Sequence, residues 1–242
     1  MDRRTFTRII GLSALSLPFT STAAFAQGPS IEALTGQKSP KLYSKDIPLR
    51  YEAGKAFADM RKAALKDRMK LHILSGFRSF NRQRTIWNNK YVQYTKKGMS
   101  PTLAIEEIIK FSTIPGTSRH HWGTDIDIID VYKPMPKSPL ETKYFHDPKH
   151  YDNMRKWMEK YGPDFGFYMS YTDDLVRKGF SYEPWHYSYE PIASEYLNHF
   201  MDVDLVGELK KRGVYGHEYL KGEIWDRYLE ENILDINAAL KS

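Results

Sequence analysis

Ser118-Arg119-His120-His121-Trp122-Gly123-Thr124-Asp125-Ile126-Asp127-Ile128-Ile129 sets two histidines and two carboxylates around one glycine. Within Thr124 to Ile129 polar and apolar residues alternate over Asp125 to Ile128, which is the period of a strand. It puts Asp125 and Asp127 on one face and Ile126 and Ile128 on the other. Gly123 lets the chain turn tightly just before that strand. His120 and Asp127 then fit as a pair of metal ligands, one on the turn and one aimed by the strand. His121 is the rival ligand. Adjacent side chains of an extended segment point apart, so one metal takes only one of the two histidines. The plain alternative for His121 is packing beside Trp122 at the surface. An H-x-x-G-x-x-x-D spacing alone is weak, and further ligands have to come from elsewhere in the chain.

Upstream, Leu49, Ala53, Ala56, Phe57, Met60, Ala64 and Leu65 fall at helical spacing and predict an amphipathic helix over 49–68. Leu71-His72-Ile73-Leu74 reads as a short strand. Asn81 to Lys97 reads as a second helix, and Ser100-Pro101 opens a third in the cap-then-proline order. Downstream, 131–147 reads as a long surface loop bordering a cleft, and 148–161 as a helix that Gly162-Pro163 ends. Phe165 to Tyr171 and Phe180 to Tyr189 read as strands on either side of Thr172-Asp173-Asp174. Beyond Glu190 the pattern turns helical, with Ala193, Tyr196, Leu197 and Phe200 on one face. Ile224, Tyr228, Ile233, Ile236 and Leu240 mark another face along 217–240. The expected class is α+β, with a helical C-terminal extension over 191–242.

The 242 residues are 41% hydrophobic and 14% aromatic, ample for a packed core and unlike a disordered chain. A net charge of +6 from scattered basic residues argues against nucleic acid as a partner. There is no cysteine, so disulfides and thiolate metal sites are excluded and a metal must be held by His, Asp or Glu. Residues 1–26 read as an export signal. Arg3, Arg4 and Arg8 precede the short apolar run Ile9 to Phe19, and Ala24-Phe25-Ala26 is a small-x-small cleavage signature. Asp2-Arg3-Arg4-Thr5-Phe6 resembles a twin-arginine signal, the alternative being the ordinary positive start of an export signal. No later run has the length of a stable membrane anchor, so the expectation is a protein exported to the periplasm or beyond the cell.

Two further clusters carry chemistry. Glu183-Pro184-Trp185-His186-Tyr187 offers a carboxylate and a histidine three residues apart. Pro184 breaks the pleat, so alternation leaves open which way Glu183 points. Ser75-Gly76-Phe77-Arg78-Ser79 ends a strand with an arginine, suited to a carboxylate or a developing oxyanion, or to capping the next helix at the surface. A catalytic zinc needs three protein ligands, an open position and a nearby carboxylate to move a proton.

S-G-F-R-S, S-R-H-H-W-G-T-D-I-D and E-P-W-H-Y, in this order over about residues 70–190, resemble the zinc D-alanyl-D-alanine carboxypeptidases of the VanY-like group in the LAS metallopeptidase family. The resemblance implies a zinc peptidase domain over 27–190, with one zinc ion in a cleft on a small antiparallel sheet packed by helices. It implies His120, Asp127 and His186 as zinc ligands and Glu183 as general base and acid. Arg78 would steady the substrate carbonyl as it becomes tetrahedral. Ser118 is expected to contact substrate, Gln83 to bind the substrate's terminal carboxylate, and Trp185 to serve in the pocket wall or in packing. The family's motif often has a small residue where Asp125 stands. Sharing a face with Asp127, Asp125 is expected at the substrate subsite, as a partner of a ligand or of Arg78, or as an alternative ligand.

The implied activity is removal of the terminal D-alanine from peptidoglycan stem peptides. A rival on the same scaffold is an endopeptidase, which differs in whether the cleft is closed beyond the scissile bond. A rival of another class is a noncatalytic zinc-bearing cell-wall-binding module, which would keep the ligands and could lose the base.

Overall fold

The computed structural model describes residues 28–241, and the export-signal reading over 1–26 lies outside them. In chain order the elements are α1 (Ile31–Leu34), α2 (Tyr51–Lys66), β1 (Leu71–Ser75), α3 (Phe80–Lys96) and α4 (Pro101–Ile109). Then come β2 (Asp125–Asp130), α5 (Asp152–Tyr161), β3 (Phe167–Met169), β4 (His186–Tyr189), α6 (Glu190–Phe200), α7 (Leu205–Lys211) and α8 (Glu223–Tyr228). Local chemistry explains the helix starts. The Ser79 and Ser100 hydroxyls cap α3 and α4, accepting from Arg82 N at 3.3 Å and Leu103 N at 3.3 Å, and Pro101 takes the first turn of α4.

The strands form one antiparallel sheet among the described residues, in the order β1-β2-β4-β3. Strand β2 lies inside it, with both edges paired. Its Ile126 and Ile128 join Phe57 and Met60 of α2 and Met154 and Met158 of α5 in one apolar cluster. All six residues of β2 are buried, so the carboxylate-bearing face is covered as well. A second cluster unites Phe80 and Trp87 of α3, Ile105 and Ile108 of α4, and Trp122 with Leu197 and Phe200 of α6 and with Tyr228, Ile233 and Leu240. The residues after 190 thus share a core with the middle of the chain. No helix among the described residues is long and apolar enough to cross a membrane.

Two expectations are corrected. Phe180 to Tyr189 is not one strand, because only His186–Tyr189 pairs. The residues ahead of it bond elsewhere. Lys178 N donates to Asp235 Oδ2 at 2.6 Å and Arg177 Nη1 donates to Asp235 O at 2.7 Å. Gly179 lies so close to the Glu231 carbonyl that a Cβ there would come within 1.7 Å of it, and Pro184 lacks the N–H that a ladder needs. The segment 171–184 therefore leaves the sheet as a wall, with Ser170 N still donating to His186 O at 3.0 Å and Trp185 O accepting from Ile128 N at 3.1 Å. The 217–240 helix is likewise broken, with a π-helical turn at Leu229–Leu234 and a 3-10 turn at Ala238–Leu240. Between them Asn237 reaches the sheet, its Nδ2 donating to Met169 O at 2.9 Å.

Candidate metal centre

Arg119–Trp122 form a 3-10 turn in place of the extended segment expected, ended by Gly123 at φ +71°, a backbone region suited to glycine. The turn divides the two histidines. His121 is fully buried and not at the surface. Its Nε2 accepts from Gly116 N at 3.1 Å, so Nδ1 carries the proton and donates to Arg78 O at 2.6 Å. Both ring nitrogens are engaged, which removes His121 as a rival ligand. Burial pushes its pKa down to about 3.

His120 faces the Gly76 carbonyl through Nδ1 at 3.0 Å, which keeps the proton there and leaves Nε2 as a donor atom. That Nε2 is 3.4 Å from Asp127 Oδ2. Pairing of β2 with β4 puts Asp127 opposite His186, whose Nδ1 is 3.3 Å from Asp127 Oδ1. The far nitrogen of His186, Nε2, is 3.0 Å from Asp125 Oδ1. One ligand atom from each of His120, Asp127 and His186 lies within 4.8 Å of the others.

Charge and burial fit a cation at this place. Asp127 Oδ1 is buried with no hydrogen-bond partner. Burial pushes the Asp127 carboxyl up, but the two imidazoles outweigh it and hold it far below the usual range. At His186 burial is outweighed by the Asp125, Asp127 and Glu183 carboxylates, and the pKa stands well above its ordinary value. At His120 burial prevails and lowers it. Two ring nitrogens and a carboxylate oxygen suit zinc better than magnesium or calcium, and a metal ion replaces the ring proton that these carboxylates favour.

Glu183 Oε2 is 3.2 Å from His186 Nδ1, with the side chain 28% exposed. The direction left open by Pro184 is thus toward the cluster. Glu183 N donates to Tyr171 O at 3.0 Å, and Glu183 O accepts from His186 N at 3.0 Å, which fixes the turn that carries it. Arg78, Ser118 and Trp185 line the same cleft, together with Phe111, Tyr171 and Phe180. Trp185 also packs its ring 5.5 Å from that of Phe145, so wall and packing coincide. Arg78 is half-buried and not a surface cap. Its Nη2 donates to Ser75 Oγ at 3.0 Å and its Nη1 to Gln83 Oε1 at 3.1 Å.

Two residues expected at the substrate stand behind the wall. Gln83 is fully buried, with Nε2 donating to Thr113 O at 2.8 Å, so its amide braces Arg78 and does not open on the cleft. Asp125 is also fully buried. Its Oδ1 accepts from Arg119 Nε at 3.1 Å and from His186 Nε2. Its Oδ2 accepts from Thr124 Oγ1 at 2.6 Å and Ser188 Oγ at 2.9 Å. No oxygen remains for a metal or a substrate, which also removes Asp125 as an alternative ligand. Burial raises its pKa, but Arg119 and His186 outweigh it and hold the carboxyl well below the usual range.

Tyr171, Arg119 and Ser188 escaped the sequence reading. Tyr171 places its ring 5.0 Å from that of His186, and burial pushes its pKa up to about 12, so it stays a neutral phenol. Nothing in its loop sequence marks it. Arg119 had one signal, its place beside His120 and six residues before a carboxylate.

A sequence profile described as VanY, D-alanyl-D-alanine carboxypeptidase, matches residues 46–192. The chain is 26% identical over 166 residues to a D-alanyl-D-alanine carboxypeptidase of Enterococcus faecalis, covering 68% of this chain and 53% of that protein. It is 28% identical over 147 residues to the bifunctional D-Ala-D-Ala dipeptidase and D-Ala-D-Ala carboxypeptidase VanXYC of Enterococcus gallinarum, covering 60% of this chain and 68% of that one. It also resembles the solved structure of VanYB in complex with D-alanine-D-alanine, at TM-score 0.46 and 25% identity over 72% of this chain and 83% of that one. The chain spans about half the length of the Enterococcus faecalis relative. With the profile matching more than half of its residues, the chain belongs to the VanY D-alanyl-D-alanine carboxypeptidase family.

Proposed function

We propose that this protein is a zinc-dependent D-alanyl-D-alanine carboxypeptidase that removes the terminal D-alanine from peptidoglycan stem peptides. One observation carries the reading. His120, Asp127 and His186 converge on one point, and Glu183 and Arg78 line the same cleft. Zinc held by those three residues supplies Lewis acidity, which polarises a carbonyl and acidifies water at neutral pH. Glu183 takes the proton of the attacking water as the C–O bond forms at the carbonyl of the penultimate D-alanine. It then delivers that proton to the amine nitrogen as the C–N bond breaks. Arg78, braced by Ser75 and Gln83, stabilises the carbonyl oxygen as it gains negative charge. Ser118 and Trp185 border the peptide. The export-signal pattern of residues 1–26 supports a setting outside the cytoplasm for this activity, where stem peptides are exposed.

The test is mass spectrometry of products from a stem pentapeptide and from a cross-linked dimer. The pentapeptide should lose one D-alanine, the activity should vanish with a chelator, and zinc should restore it. Cleavage of the cross-link with the pentapeptide left intact would replace this reading with the endopeptidase. Zinc binding without turnover of either substrate would replace it with the binding module.

A further inference from the structure

We propose that Asp125 is a positioning residue for His186. With Arg119 and Ser188 it forms a buried, charge-balanced brace that sets how tightly the centre holds its metal. The inference rests on the zinc reading above and concerns residues that the mechanism does not use.

The brace begins at the far side of a ligand. Asp125 Oδ1 lies 3.0 Å from His186 Nε2. A carboxylate only accepts, so Nε2 carries the proton and Nδ1 is the ring's donor atom. That Nδ1 faces Asp127 Oδ1 at 3.3 Å and Glu183 Oε2 at 3.2 Å. A ring flip would break the Asp125 bond and turn Nδ1 away from the cluster. Asp125 thus selects both the tautomer and the rotamer that coordination needs. A carboxylate behind a metal-bound imidazole also raises its basicity, which strengthens the metal bond.

The remaining contacts hold the carboxylate itself. Arg119 Nε donates to Asp125 Oδ1 at 3.1 Å, and Arg119 Nη2 donates to Ser188 Oγ at 2.7 Å. Ser188 Oγ in turn donates to Asp125 Oδ2 at 2.9 Å. The guanidinium also lies over the Trp122 ring, 4.8 Å from its centroid. Asp125 and Ser188 are fully buried and Arg119 is 4% exposed, so water does not screen the group. Its placement is built into the sheet. Asp125 sits opposite Ser188 in the same β2–β4 ladder that sets Asp127 opposite His186. Brace and ligand pair move as one unit. An Arg–Asp pair serving stability alone would not need to engage the ligand's other nitrogen.

The experiment measures zinc affinity by competition with a chromogenic chelator. Asp125→Asn keeps the shape and removes the charge, and its zinc Kd should rise about 10- to 100-fold. Because that change leaves Arg119 buried without a counter-charge, the paired variant Arg119→Gln/Asp125→Asn is measured beside it. The pair should recover much of the unfolding midpoint of the metal-free protein and still hold zinc weakly. A spectroscopic mark accompanies this. In the zinc-loaded protein the His186 Nε2 proton should give a slowly exchanging, downfield imidazole N–H signal, which in both variants moves upfield and exchanges faster as a neutral amide oxygen replaces the carboxylate. An unchanged Kd in Asp125→Asn, or a wild-type Kd in the paired variant, overturns the proposal. Failure of the unsubstituted protein to bind zinc overturns it together with the zinc reading, and is told apart by appearing before any substitution.

Discussion

Asp127 and His186 face each other across the β2–β4 ladder, and His186 Nδ1 rests 3.3 Å from Asp127 Oδ1. Two candidate ligand positions are therefore fixed by the hydrogen bonds of a sheet, a more rigid support than a loop. His120 is tied to that frame from the side, through Gly76 O at Nδ1 and through its own carbonyl, which accepts from Arg78 N at 3.1 Å. Moving the arginine segment would move this third candidate ligand with it.

Glu183 is near the ligand atoms yet partly exposed, as a proton carrier should be. Glu183→Gln is expected to keep one equivalent of zinc and to lose kcat by about 10²- to 10⁴-fold with little change in KM. Metal analysis alongside steady-state kinetics checks it. Undiminished turnover would remove Glu183 from the mechanism.

Gln83 acts through Arg78. Arg78→Ala should lower kcat by about 10²- to 10³-fold, and Gln83→Ala by a smaller factor, since it frees the guanidinium without deleting it. In a double-mutant cycle the second change should add little once Arg78 is gone. Fully additive losses would mean that Gln83 contributes by a separate route.

His121 makes the protein sensitive to acid. In the native state burial sets its pKa at about 3, with the Arg78 carbonyl opposing and the Arg78 guanidinium adding to the depression. An unfolded imidazole titrates near 6.5. Between those values the unfolded chain binds a proton that the native one refuses. This contribution to stability is complete above about pH 6.5 and declines as the pH falls, levelling off near 3. Relative to His121→Gln, the metal-free protein should lose up to about 1.4 kcal/mol of stability per pH unit in that window. Urea titrations of both proteins from pH 7 to pH 4 measure the difference. Parallel profiles would show that the ring is not held neutral.

Tyr228 tests whether the C-terminal residues belong to the core. Its oxygen accepts from Ile114 N at 3.1 Å. Thr117 Oγ1 donates to Ile114 O at 2.8 Å, so the Tyr228 hydroxyl donates to Thr117 Oγ1, 2.6 Å away. These contacts clamp the turn that leads into Ser118 and His120. Tyr228→Phe should cost about 1–3 kcal/mol, because it strands buried polar partners. A shift in the urea midpoint measures it, and no shift would argue for a loosely attached C-terminal segment.

Much of the site is legible one residue at a time. Gly123 permits the left-handed turn, and period-two alternation over Asp125 to Ile128 points to a strand with Asp125 and Asp127 on one face. The Ser100-Pro101 start of α4 and the helical spacing of α2 are equally local. With cysteine absent, the possible ligands narrow to His, Asp and Glu. Such features follow from backbone sterics and side-chain chemistry, which depend on near neighbours only.

What stayed out of reach depends on contacts far apart in sequence. Asp125 and Asp127 share a face and look alike on the chain. Only the register with β4 sets Asp127 against His186 Nδ1, as a candidate ligand, and Asp125 against His186 Nε2, as the proposed brace. Pro184 hid the direction of Glu183, which the bond of its N–H to Tyr171 O, across the loop, holds toward the cluster, while Asp235 and Glu231 hold the middle of that loop from far along the chain. Gln83 and His121 are polar, and polar residues default to the surface. Each is buried because a distant backbone group completes its hydrogen bonds, Thr113 O for one and Arg78 O for the other. Sequence alone determined which atoms can bind a metal. The tertiary structure decided which of them meet, because hydrogen-bond partners for buried polar groups are supplied by the fold and not by the neighbouring residues.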